Sequence, residues 1–197
     1  MTMKLLALII LLIPLSAFAQ TPKLNIRMEH NSSEEQEQKH QLEEFAKHYD
    51  LSKYTITRDI VINQYAANHS SPVLTLNFRF LGNEDDRSLS FYVHEQAHWL
   101  LMTRYRSQTR QMVDELMKLY PNIEIDPPHG DGNLRSSYAH MLVIMLEWQA
   151  LESLIGVKRA EAVLKFKRHH HYTDLFATVM DHRPEMEALM KRYDLKW

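Results

Sequence analysis

The sequence predicts an α+β domain, a small antiparallel sheet or hairpin followed by a mainly helical remainder. Three observations carry that expectation. Residues 73–80 (VLTLNFRF) alternate, with Leu74, Leu76, Phe78 and Phe80 on one face and Val73, Thr75, Asn77 and Arg79 on the other, the pattern of a half-buried strand. Residues 54–65 (YTITRDIVINQY) are rich in β-branched and aromatic types, and a turn cluster at 68–72 separates the two segments. From Ser88 onward the apolar spacing is helical and only Pro- and Gly-containing breaks interrupt it.

The elements follow in order. Residues 20–32 lack periodicity and read as a mobile lead-in. Ser33 before Glu34 and Glu35 is an N-cap signal, and Leu42, Phe45, Ala46 and Tyr49 keep helical spacing, so a helix is expected over 34–49. Further helices are expected at 88–105 and 107–119, the second ending before Pro121. The loop 121–133 (PNIEIDPPHGDGN) leads to a long helix over 137–155 that stops at Gly156. Shorter helices cover 158–168, 171–181 and 185–193, with Pro184 favouring the start of the last. Met102, Met112, Met117, Met141, Met145, Met180 and Met186 fall at helical spacings and read as core filler.

Composition narrows the classes of function. The 197 residues fit one domain, and 45% hydrophobic with 24% charged content is ordinary for a globular chain. A formal net charge of -2 gives no basic footprint for nucleic acid. Residues 1–19 read as a secretory signal peptide: Lys4, an apolar run over 5–15, then Ala17-Phe18-Ala19 before Gln20. Residues 20–197 then form a single domain, periplasmic or secreted, with no stable membrane insertion once the signal is cleaved. The chain has no Cys, which excludes a lipid-anchored lipoprotein. Its 12 His are the unusual feature of the composition.

Residues 91–101 (FYVHEQAHWLL) concentrate the chemistry. His94 and His98 are four apart and stand one turn above each other on a helix. That spacing lets two imidazoles reach one Zn2+ at about 2.0–2.1 Å. Glu95 points to the side where a water would sit, and a carboxylate there can take the water's proton as general base. A third ligand is needed, and the long helix offers His140 and Glu147. They lie about 10.5 Å apart along the axis, so one ion does not take both. Either His140 binds the metal and Glu147 orients a ligand histidine, or Glu147 binds and His140 faces the oxyanion. The first is favoured, because a first turn beside a loop reaches an open site more easily.

His-Glu-x-x-His, with a ligand-type residue on a later helix, resembles the zincin metallopeptidases. The resemblance covers about residues 73–153, and a Glu147 ligand would be similar to the gluzincin branch. It implies a zincin-like metallohydrolase domain that uses Zn2+ to cleave peptide or protein substrates. Leu101 stands where the extended metzincin motif has Gly, so that branch is excluded. Leu146 stands where the gluzincin branch has Asn before its Glu. Tyr138, His171 and Tyr172 are the further expected donors to a tetrahedral oxyanion. His129 in the Pro/Gly loop is a lesser ligand option. His169, His170 and His171, after Lys165, Lys167 and Arg168, read as a solvated positive face. The competing expectation is a non-catalytic metal- or partner-binding protein on a degenerate zincin scaffold.

Overall fold

In a computed structural model, which describes residues 23–77 and 85–197, seven helices accompany one small sheet. Strands β1 (Asn25–Met28), β2 (Asp59–Ile62) and β3 (Leu74–Leu76) lie in that spatial order. Helices α1 (Ser33–His48), α2 (Asp85–Thr103), α3 (Arg106–Leu119) and α4 (Leu134–Ile155) are followed by α5 (Val157–His170), α6 (Thr173–Asp181) and α7 (Arg183–Arg192). The expected signal peptide at 1–19 lies outside the described residues, as does the end of the strand expected over 73–80.

The chain is mixed α and β, as expected, but its sheet is parallel. Ile60 pairs with Ile26 on one side and with Leu74 on the other, both in parallel register. Parallel neighbours need a crossover, and α1 supplies it between β1 and β2. β1 falls inside the stretch expected to be a mobile lead-in. Its four residues alternate exposed and half-buried, too short a run to stand out as periodic. The expected antiparallel pairing of 54–65 with 73–80 is not formed, and the antiparallel contact among the described residues is an isolated bridge between His69 and Thr75, each N–H donating to the other's carbonyl. Residues 63–73 are long enough to return along the outside of β3, so the turn cluster closes that bridge and not a β2–β3 hairpin. Tyr54, expected in a strand, sits in a 3-10 turn.

The N-cap of α1 is the half-buried Ser32, whose side chain accepts from Glu35 N–H, one residue before the expected Ser33. Glu35 is fully buried. Its carboxylate accepts from the backbone N–H groups of His30, Asn31 and Gln64 and from the His30 ring. It therefore ties the end of β1, the start of α1 and the exit of β2 together. Burial pushes this carboxyl up, but the bonds from His30, Gln64 and Asn31 overcome it and hold it at about 2. The folded-state value lies below the unfolded one, so the contribution is complete above about 4.5 and lost as pH falls through about 2. Glu35→Gln is expected to cost about 2 kcal/mol or more at pH 7, since hydrogen bonds to a charged group contribute about 1.5–3 kcal/mol each. Urea melts of both chains should converge toward pH 2, and a constant gap across that range would refute the assignment.

Helix α4 is the hub, packing against α2, α3, α5, α6 and α7. Every residue from Met141 to Trp148 is buried, as befits a helix apolar around its circumference. It begins at Leu134, three residues before the expected start, capped by Asn133, whose side chain accepts from Ser136 N–H. The preceding loop is folded tightly: a Cβ on Gly130 would meet the Ile125 backbone at 2.5 Å. Of the expected core methionines, Met112, Met141, Met145 and Met186 are fully buried, whereas Met102 is exposed near the end of α2.

Helix α2 carries the His-Glu-x-x-His segment and is fastened along its length. Gln96, fully buried, accepts from Ile56 and Thr57 N–H and donates back to Thr57 carbonyl. Tyr92 hydroxyl meets Thr55 hydroxyl at 2.6 Å. Trp99 donates its indole N–H to Ser70 carbonyl at 2.7 Å. These contacts fix the rotation of α2, and with it the direction in which His94 and His98 point.

Candidate metal centre

The rings of His94 and His98 meet edge to face one turn apart on α2, with centroids 5.1 Å apart. His140, in the second turn of α4, brings its ring to 4.6 Å from His98 and 5.8 Å from His94. One nitrogen from each of the three lies within 4.8 Å of the other two. A tetrahedral ion with bonds of 2.0–2.1 Å sets its ligands about 3.3 Å apart, so small ring rotations close the set. The donor chemistry fits a zinc-type ion: three imidazoles, two of them oriented from behind.

His94 donates its Nδ1 proton to Glu147 Oε2 at 2.8 Å, which leaves Nε2 as the lone pair facing the cluster. Burial pushes the His94 imidazole down to about 4, against the pull of Glu147, so it is neutral at pH 7. Burial, with His94 and His140 nearby, also pushes His98 well below its ordinary range. His140 Nδ1 faces Ser136 carbonyl at 3.0 Å and Asp131 Oδ2 at 3.3 Å, turning its Nε2 toward the other rings. Burial would raise the Asp131 carboxyl, but bonds from His140, Ser136, Asn133 and Ser137 hold it well below the usual carboxylate range. Metal ligands need deprotonated nitrogens. Burial provides them at His94 and His98.

Glu147 is fully buried on α4. It sits behind His94 and takes three bonds: from His94, from Ser90 hydroxyl and from Lys167 Nζ at 2.6 Å. Lys167 is itself 3% exposed, against the expectation that it belongs to a solvated positive face. Ala160, Val163, Leu164 and Lys167 all lie on the buried stripe of α5, an i, i+3, i+4, i+7 set that was readable in the sequence. Its ammonium lies 4.4 Å from the Phe91 ring centre, a cation–π contact.

Glu95 faces the same space and is 5% exposed. Burial raises its carboxyl to about 8, with Lys167 pulling the other way and Glu147 adding to the rise. The cavity in front of the cluster has a volume of about 580 Å³. Its floor is His94, Glu95, His98 and His140, and its walls include Ala67 to Ser70 on one side and Lys167, His170, His171 and Tyr172 on the other.

His171 and Tyr172 line this cavity, so the histidine triplet is not wholly solvated. Burial pushes the His171 imidazole down to about 3 and the Tyr172 phenol up to about 12. Tyr172 has a left-handed backbone, φ 50, unfavourable for a bulky residue and characteristic of functional sites. Its ring lies 4.7 Å from that of His140. Tyr138 takes no part: it is buried and donates its hydroxyl proton to Tyr120 carbonyl. Its place on α4, two residues before His140, turns it to another face. His129 also lies apart, held by Thr173 and Asp174 and facing Glu124. Ser90 and Asp131 were not anticipated. Ser90 is one turn before His94 on α2, whereas nothing in the spacing of Asp131 distinguishes it from other loop acids.

No protein-family profile, curated protein or solved structure matches the chain.

Proposed function

We propose that the protein is a zinc-dependent peptidase or amide hydrolase. The observation that carries the reading is the junction of three imidazoles with a buried carboxyl, Glu95, at the floor of one cavity. His94, His98 and His140 would hold the ion. A zinc ion in that position supplies a Lewis acid and lowers the pKa of water to about 7. With the ion's positive charge beside it favouring the carboxylate form, Glu95 would accept a proton from the attacking water and pass it to the leaving amine. His171 is neutral at pH 7 and donates through one ring N–H, and together with Tyr172 it faces the developing oxyanion. Glu147 and Asp131 hold the His94 and His140 rings in the tautomer that presents Nε2. The zincin resemblance of the motif supports the same assignment, and export to the periplasm or beyond is part of it.

Purified protein is expected to contain about one zinc per chain. It should cleave members of a broad peptide mixture in a chelator-sensitive way, read by mass spectrometry. A stoichiometric zinc with no chelator-sensitive cleavage would favour a metal-binding module over an enzyme, and a protein that takes up no zinc would end both readings.

A further inference from the structure

We propose that Lys167 is a tuning residue of the metal centre, acting through Glu147 to withhold negative charge from His94. The inference rests on the assignment of His94 as a ligand and extends it to a residue that is not itself a ligand.

A carboxylate hydrogen-bonded to a ligand histidine ordinarily makes that imidazole a stronger donor and tightens metal binding. Here the carboxylate is divided. Glu147 presents Oε2 to His94 Nδ1 at 2.8 Å and Oε1 to Lys167 Nζ at 2.6 Å, with Ser90 hydroxyl also on Oε1. Both charges are out of water, at 0% and 3% exposure, so neither is screened by solvent and each acts strongly on the other. The ammonium is fixed by the rings of Phe91 and Phe176, at 4.4 and 5.6 Å. A neutral pair therefore stands behind His94 in place of a full anion. His94 keeps the orientation that Glu147 imposes without the full gain in donor strength, and an ion bound in front of it is held less tightly and stays more electron-poor.

A lysine is not needed to hold this fold together by charge alone, because buried ion pairs are commonly replaceable by apolar residues of similar volume. Glu147→Gln with Lys167→Met removes both charges while keeping the approximate shape. The three chains Lys167→Met, Glu147→Gln and the double variant make a cycle with the wild type.

The measurements are the zinc dissociation constant, by competition with a chromogenic chelator, and the electronic spectrum of the cobalt(II) form. Lys167→Met is expected to bind zinc roughly tenfold more tightly than wild type, the low end of the range for residues behind a ligand, and to shift the cobalt bands. In the Glu147→Gln background the same substitution should change affinity less than about threefold, since the carboxylate that carries the effect is gone. Unchanged or weaker zinc binding by a folded Lys167→Met chain would overturn the proposal, and so would an effect that persists in the Glu147→Gln background. Should Lys167→Met alone fail to fold, the comparison of Glu147→Gln with the double variant still decides it, because unequal affinities there contradict action through Glu147. A wild type that binds no zinc refutes the ligand assignment itself, a different result from a wild type that binds zinc but is insensitive to Lys167.

Discussion

Replacing His140 with alanine is expected to weaken zinc binding by several orders of magnitude, as is replacing His94 or His98. Each supplies one of three protein nitrogens, and the remaining pair leaves a site with two open positions that solvent must fill. Glu147→Gln, which leaves all three nitrogens in place, should cost roughly 10–100-fold. The contrast is what the geometry demands: the His140 ring lies 4.6 Å from that of His98, whereas Glu147 is engaged with Ser90, His94 and Lys167 behind the site. Competition titrations with circular dichroism as a check on folding would measure both. An order reversed between His140→Ala and Glu147→Gln would make Glu147 the ligand and return the site to the gluzincin-like alternative.

Glu95→Gln should leave zinc bound and the fold intact while hydrolysis falls by about 10²–10⁴-fold, the usual contribution of a general base. Glutamine keeps the shape and can still hydrogen-bond, but it does not accept a proton near neutral pH. Glu95 is buried at the cavity floor, and among the described residues no hydrogen-bond donor is paired with its carboxylate. The substitution therefore strands no structural partner, and a loss of rate is readable as lost chemistry. The fall should appear in kcat with little change in KM. Cleavage by Glu95→Gln at the wild-type rate would remove Glu95 from the mechanism.

The two predictions draw on different depths of information. His94, Glu95 and His98 stand within five consecutive residues, and the geometry that groups them is that of one helical turn. Local physics alone brings them together. His140 and Glu147 are likewise two turns apart on one helix face by a known rise, so their competition for one role was visible in the sequence while its outcome was not. The outcome depends on how far α4 slides along α2, and that is set by side-chain packing between two helices whose contact is dispersed over many apolar residues.

The helices themselves were legible for the same reason. Caps, apolar spacing and the Pro and Gly breaks at 121–133 and Gly156 are local signals, and each expected helix is present with ends moved by a few residues. Sheet topology was not legible. Whether β2 and β3 pair parallel or antiparallel depends on the path of residues 63–73 and on β1, whose four residues carry too little periodicity to announce a strand. The burial of Lys167 lies between these cases. Its place on the apolar stripe of α5 is in the sequence, but a lysine there reads as exposed unless its partner is known, because an unpaired buried ammonium is costly. Its partner, Glu147, is twenty residues away on another helix. The helical segments and the two-histidine turn with its acid are legible in the chain alone, because both follow from interactions within a few residues. The third imidazole, the parallel sheet and the Lys167–Glu147–His94 chain were decided only by tertiary structure, because each joins residues that only the packing of separate elements brings together.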